Sequence, residues 1–203
     1  MKANSSVGSH DLGVLLAQHR EKLKRMVRCR MDRRLQGRVD PSDIVQEAYI
    51  EAAKRYEGFE RGGKMPFFLW LRFLTVQQLH IVHRRHLGAK MRSATREVSL
   101  EARDEPAPDA AVLAEGLSGA LTSPSSAASK KEMRARLTAA LDALEPKDRE
   151  ILTLRHFEQL NTVESAQVLG ISESLASTRY GRAVRKLMAV LKELFGSESE
   201  FQL

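Results

Sequence analysis

The chain has 203 residues, 42% of them apolar and 5% aromatic, with a formal net charge of +7. This composition is that of a soluble globular protein and excludes a fibre or a wholly disordered tail; the length allows one medium domain or two small ones. The longest apolar run, Met65 to Leu71, falls far short of the roughly 20 residues of a membrane span, and the polar stretch Met1 to Asp11 offers no secretory signal, so a cytoplasmic protein without a membrane segment is expected.

The charge is unevenly spread. Residues 1–96 carry a net +11, residues 97–129 carry −5, and residues 130–203 carry +1. A small region at +11 suits a polyanion, since neutralising phosphates releases condensed counterions; a solvated basic surface kept for solubility is the plainer alternative. The single cysteine, Cys29, permits no internal disulfide and no cysteine-based zinc site.

In chain order, Leu12, Leu15, Leu16, His19, Leu23, Met26 and Val27 recur at helical spacing and predict an amphipathic first helix. A second starts at Val39-Asp40-Pro41-Ser42-Asp43, where Asp40 can cap the free amides and Pro41 suits the first helical position. On it, Ile44, Val45, Ala48, Tyr49, Ala52, Ala53 and Tyr56 share the inward arc. The opposite arc holds Asp43, Gln46, Glu47, Ile50 and Lys54: an acidic stripe with an exposed isoleucine on a basic module. Such a stripe can dock a partner helix, or it can be an ordinary solvated face.

A loop is expected over Gly58 to Met65, then a helix from Pro66 to Gly88. Tyr49, Tyr56, Phe59, Phe67, Phe68, Trp70 and Phe73 crowd this stretch; most serve a core, but aromatics beside basic residues can also receive an unstacked base. The helix ends in cations, including Arg84 and Arg85, that complement its negative terminus. His80, His83 and His86 fall on one arc, which raises a metal-dependent enzyme as a rival reading, although no carboxylate or cysteine nearby completes a metal sphere. There is no P-loop, catalytic carboxylate pair or nucleophile elbow, so neither catalysis nor a cofactor is expected.

Residues 97–129, acidic and rich in Pro, Gly and Ser, read as a flexible linker, with Ala110 to Leu121 able to form a short helix but too poor in apolar bulk to make a domain. Beyond it, Leu137, Leu141 and Leu144 mark a helix ending before Glu145-Pro146, and Ile151, Leu152, Leu154 and Phe157 mark another. The most specific signal follows. From Thr162 a short helix containing Ala166 meets Gly170 at a tight turn, Ile171 plugs the angle, and Ser172 caps a longer helix. This is helix-turn-helix grammar, against a generic helical hairpin. Ala176, Tyr180, Ala183, Leu187, Leu191 and Leu194 should face inward, leaving Ser174, Ser177, Thr178, Gly181, Arg182 and Arg185 outward, where hydroxyls and arginines suit the major groove.

Two stretches carry a family resemblance. Val39-Asp-Pro-Ser-Asp-Ile-Val-Gln-Glu-Ala-Tyr49, with Phe59, Trp70-Leu71 and the basic helix end, resembles region 2 of bacterial sigma-70-type RNA polymerase sigma factors. Leu141-x-x-Leu144-x-Pro146-x-x-Arg149-x-Ile-Leu-x-Leu-Arg155 with the helix-turn-helix resembles region 4, and the short two-module layout resembles the extracytoplasmic-function (ECF) subgroup. The expected fold is all-α: two small helical domains joined by a flexible acidic linker. Their bounds are an N-terminal tail 1–11, region 2 at 12–96, linker 97–129, region 4 at 130–195 and a C-terminal tail 196–203.

The resemblance implies a promoter-specificity subunit that performs no covalent chemistry. Asp43, Gln46, Glu47 and Ile50 fall where the family grips the clamp helices of the largest polymerase subunit. Phe59, Arg61, Lys64, Trp70, Gln77, Arg84 and Arg85 fall where it holds an opened −10 strand, and Ser177, Thr178, Arg179, Gly181, Arg182 and Arg185 fall at the −35 duplex. Region 4 would also meet the flap of the second-largest subunit, and an anti-sigma factor could mask both modules. Ser177 stands where a basic residue is frequent, Gly181 where a larger one is usual, and Gln159 replaces a common glycine. The rival without polymerase is a free-standing helix-turn-helix regulator of duplex operator DNA.

Overall fold

The structure is a computed structural model that describes residues 6–62, 65–87, 105–121 and 127–195, with side chains over 12–62, 65–87, 105–118 and 130–193. The described residues are helical, with no strand among them. They divide into two units, Met1–Leu100 and Glu101–Leu203.

The first unit packs three helices, α1 (Ser6–Arg30), α2 (Pro41–Gly62) and α3 (Phe67–Leu87). Leu12, Leu23, Met26, Val27 and Cys29 of α1 are buried, while Leu15, Leu16 and His19 are only half-buried. Pro41 opens α2 as expected, and the Asp40 carboxylate accepts a 2.7 Å hydrogen bond from the Ser42 amide. Ile44, Val45, Ala48 and Ala52 form the buried face, and the Tyr49 hydroxyl donates to the Leu16 carbonyl, pinning α2 to α1. Ala53, expected inside, is exposed because it lies one step past the contact arc. The third helix is the unit's centre. Leu71, Leu74, Thr75, Val76, Leu79 and His83 are all buried, so apolar and polar positions go inward around most of its girth.

Two features differ from expectation. The second helix runs through Gly58 to Gly62, so the expected loop beginning at Gly58 is instead helical for most of its length. A glycine in an exposed helical turn costs only about 1 kcal/mol, and the Phe59 ring packs at 5.9 Å from Phe67 and 4.4 Å from Trp70, holding the last turns down. The second difference lies in the acidic stretch. Ala110–Leu121 forms α4, capped by Asp109, whose carboxylate accepts from the Ala111 amide at 2.8 Å. Pro108, Ala110, Leu113 and Ala114 are buried in the second unit, so part of the expected linker is core.

That helix packs along α5 (Ala127–Asp142), whose buried residues include Leu137, Ala140 and Leu141. A short α6 (Pro146–Leu152) then widens into a π-helical turn over Thr153–Phe157, in which the Glu158 amide bonds the Thr153 carbonyl at 2.9 Å. Gln159 follows with φ of +54°. The unit closes with α7 (Thr162–Leu169) and the long α8 (Glu173–Phe195).

Candidate nucleic-acid interface

The helix-turn-helix is built from local chemistry. Asn161 caps α7 by accepting from the Glu164 amide at 2.8 Å, and the Glu164 carboxylate accepts from the Asn161 amide at 2.8 Å, a reciprocal capping box. The Asn-x-x-Glu spacing that encodes it is present in the sequence, and α7 starts at Thr162, where the helix is expected. Gly170 ends α7 at φ +61°, a left-handed geometry that favours glycine, and its amide bonds back into the last turn. Ser172 Oγ accepts from the Leu175 amide at 3.2 Å and opens α8, as the sequence predicts.

The roll of α8 about its axis is set by three inward groups. Ala176, Ala183 and Leu191 are buried. The Tyr180 hydroxyl lies 2.9 Å from His156 Nε2, with the Arg155 guanidinium 5.3 Å from the Tyr180 ring, and Arg155 itself donates to the Leu160 carbonyl at 2.6 Å. Burial holds His156 below the ordinary histidine range, with the Arg155 charge acting in the same direction. The third is Asp148, fully buried at the start of α6, which accepts from Lys186 at 2.6 Å and Arg182 at 3.2 Å. Burial pushes its pKa up, but the two hydrogen bonds and charges outweigh that and hold the carboxyl below its usual range. Nothing local in the sequence marks Asp148, because its partners are 34 and 38 residues away.

This arrangement sorts the six residues expected at duplex DNA. Ser177, Thr178 and Arg185 are exposed, and Gly181 lies between them at the surface, where a Cβ would meet only the Arg185 guanidinium at 3.8 Å. Arg182 is drawn back to Asp148, although 44% of its side chain stays exposed. Arg179 is half-buried, its Nε enclosed, and it lines a cavity of about 480 Å³ with Pro146, Arg149, Glu150, Val168 and Leu169. Its guanidinium therefore faces its own unit. Ser174 and Leu175, in the first turn, are exposed as well.

In the first unit Asp43, Gln46, Glu47 and Ile50 are all exposed along α2, Ile50 at 45%. On the other side of that helix, Tyr56, Phe59, Phe67 and Trp70 form a half-buried aromatic cluster, with Phe59 and Trp70 stacked at 20° between planes. Gln77 is half-buried on α3, and Arg84 and Arg85 are exposed in its last turn. Arg61 is exposed and pairs with Glu57 at 3.1 Å. Lys64 lies outside the described residues.

The three histidines do not act together. His83 is buried, and its Nε2 accepts a 3.2 Å hydrogen bond from the Asp32 amide, which occupies the nitrogen a metal would need. Burial, with His80 nearby, holds it below the ordinary histidine range. Among the described residues no group of three His, Cys, Asp or Glu side chains is placed to hold a metal ion, and no helix is long and apolar enough to cross a membrane.

Comparison with known proteins fits this geometry. The family model for sigma-70, region 4 matches residues 134–187, which run from α5 through most of α8. The chain is 28% identical over 158 residues to the RNA polymerase sigma factor CnrH of Cupriavidus metallidurans, covering 75% of this chain and 73% of that protein. It is 29% identical over 161 residues to the ECF RNA polymerase sigma factor BldN of Streptomyces coelicolor, covering 79% of this chain and 54% of that one. A shorter match, 39% over 59 residues, links 29% of it to the RNA polymerase sigma-E factor of Streptomyces antibioticus, of which it spans about a third (33%). A solved structure of CnrH in complex with the cytosolic domain of CnrY shares the fold, with a TM-score of 0.53, 22% identity, and 93% and 92% of the two chains covered.

Proposed function

We propose that this chain, a member of the ECF subgroup of the sigma-70 family, is the promoter-specificity subunit of a bacterial RNA polymerase. The observation that carries the reading is the pairing, in one chain, of a helix-turn-helix with an exposed acidic and apolar stripe on a separate basic unit. A regulator acting on duplex DNA alone leaves that stripe unexplained. In this reading Asp43, Gln46, Glu47 and Ile50 meet the clamp helices of the largest subunit, and the second unit meets the flap of the second-largest. The protein works in the cytoplasm, performs no covalent chemistry, and is open to masking by an anti-sigma factor.

Promoter opening follows from the aromatic cluster. An unstacked −10 base costs a few kcal/mol, and stacking returns roughly 1–3 kcal/mol per base. The Phe59–Trp70 pair is half-buried, which supports a platform that is already rigid when the base arrives. Gln77 offers an amide to a base edge, while Arg61, Lys64, Arg84 and Arg85 would follow phosphates. On the −35 duplex, Ser177, Thr178, Gly181 and Arg182 form the reading face, Arg182 keeping 44% of its side chain exposed beside Asp148, while Arg179 and Arg185 would favour phosphates. Two tethered contacts raise each other's effective concentration, so neither has to be tight.

The test is co-elution of the full chain with bacterial core RNA polymerase at moderate salt, beside an Asp43→Ala, Glu47→Ala double variant. Stoichiometric binding that the variant loses is the expected result. Salt-sensitive binding to duplex DNA with no binding to core overturns the reading in favour of a free-standing regulator.

A further inference from the structure

Leu175 is the residue of the helix-turn-helix that the assignments above leave without a role. It sits in the first turn of α8 with 46% of its surface exposed, one of four large apolar side chains so exposed among the described residues. Its amide is tied to Ser172 Oγ, so the side chain projects from a fixed turn. At about 100° per residue it lies at the edge of the outward face, between Arg182 and Arg179 and roughly 60° from Thr178. Of the two arginines nearest in sequence, Arg179 is half-buried, and Arg182 pairs with Asp148 while 44% of its side chain stays exposed. The first turns of α8 thus expose Glu173, Ser174, Ser177 and Thr178, part of Arg182, and one branched hydrocarbon, Leu175.

The N-terminal residues of a recognition helix are those that touch base edges. A leucine there can neither donate nor accept, and against the polar edge of guanine, adenine or cytosine it would strip water without replacing it. The major groove carries a single apolar group, the 5-methyl of thymine. We propose that Leu175 selects thymine at one position of the duplex element by packing against that methyl group. The inference rests on the reading that α8 enters promoter DNA.

The experiment uses the full chain assembled on core RNA polymerase to select a −35 duplex from a randomised library. Each thymine of the selected duplex is then replaced by deoxyuridine, which removes the methyl group alone. At one thymine the wild-type holoenzyme is expected to lose roughly three- to fivefold in affinity, the worth of about one buried methyl-sized group. Leu175→Ala, an exposed substitution that leaves core binding intact, should bind thymine and deoxyuridine duplexes equally at that position. A variant that keeps the discrimination, or a selected element with no methyl-sensitive position, overturns the assignment of Leu175 while leaving the sigma-factor reading standing. Failure to assemble on core overturns both together.

Discussion

Asp148, sealed beneath the first turn of α6, accepts a 2.6 Å hydrogen bond from Lys186 near the middle of α8, and Arg182 reaches its other oxygen at 3.2 Å. A carboxylate with no solvent access thus fixes how α8 is rolled about its own axis. Replacing Asp148 with Ala should cost about 1–3 kcal/mol, because two cations lose their partner but remain partly solvated. Chemical denaturation of the full chain measures it.

Acid should release the same clamp. Asp148 is held below its ordinary pKa, and Glu145, hydrogen-bonded to Lys147 and Lys186, is lowered to about 2. Groups depressed in the folded state stabilise it above their unfolded pKa and lose that contribution as pH falls through the folded value. Stability of the second unit should therefore decline from roughly pH 4.5 toward 2. Asp148→Asn should flatten part of that slope; an unchanged slope would show that the clamp does not titrate.

A different window applies to the first unit. His83 must be neutral to accept from the Asp32 amide, and burial holds it below the ordinary histidine range, so its folded pKa lies under its unfolded one. Its stabilisation is complete above about pH 6.5 and is lost as pH drops toward the folded value. His19 is lowered by burial and by Lys22, and contributes with the same sign. His83→Leu should lower stability at pH 7.5 by about 1–2 kcal/mol and reduce the loss on moving to pH 5.5. Ring titration by NMR gives the direct check.

Gln159 occupies left-handed backbone at φ +54° after the π-helical turn. That geometry costs a non-glycine residue about 1–2 kcal/mol, against about 0.5–1 kcal/mol of chain entropy lost on introducing glycine. Gln159→Gly should be stabilising by about 0.5–1 kcal/mol, seen as a rise in Tm. The departure from a common glycine that the resemblance shows at Gln159 thus carries a small, measurable strain.

Gly116 faces the Phe157 ring so closely that a Cβ would lie 2.6 Å from Cε2. Gly116→Val should cost about 1–3 kcal/mol through overpacking. Limited proteolysis should then cut α4 faster than in the wild type; equal rates would mean that the helix is held elsewhere.

What the sequence disclosed and withheld follows from the range of each signal. The third helix, expected from Pro66 to Gly88, spans Phe67–Leu87, and the Gly170 and Ser172 signals stand as read, because capping and periodicity act within a turn or two. The fourth helix was legible as a short helix, but its place in the core was not, because beside Leu113 it packs through Ala110, Ala114 and Gly116, which give close approach without apolar bulk. The helical wheel turned Arg182 outward and the resemblance put Arg179 at DNA; neither signal reaches the cavity beside Arg179 or the distant Asp148 that pairs with Arg182. The acidic stripe was legible in full: Asp43, Gln46, Glu47, Ile50 and Lys54 are all exposed.

The wide turn at Thr153–Phe157 absorbs one residue of chain length ahead of the elements that follow it. It accommodates one residue more than an α turn, and each residue of a regular helix carries about 100° of rotation and 1.5 Å of rise. Deleting a single residue here would let the stretch close into an ordinary α turn of nearly the same total rotation, leaving the direction of α7 and α8 nearly unchanged. Relatives one residue shorter in this segment should thus keep the same face of α8 outward.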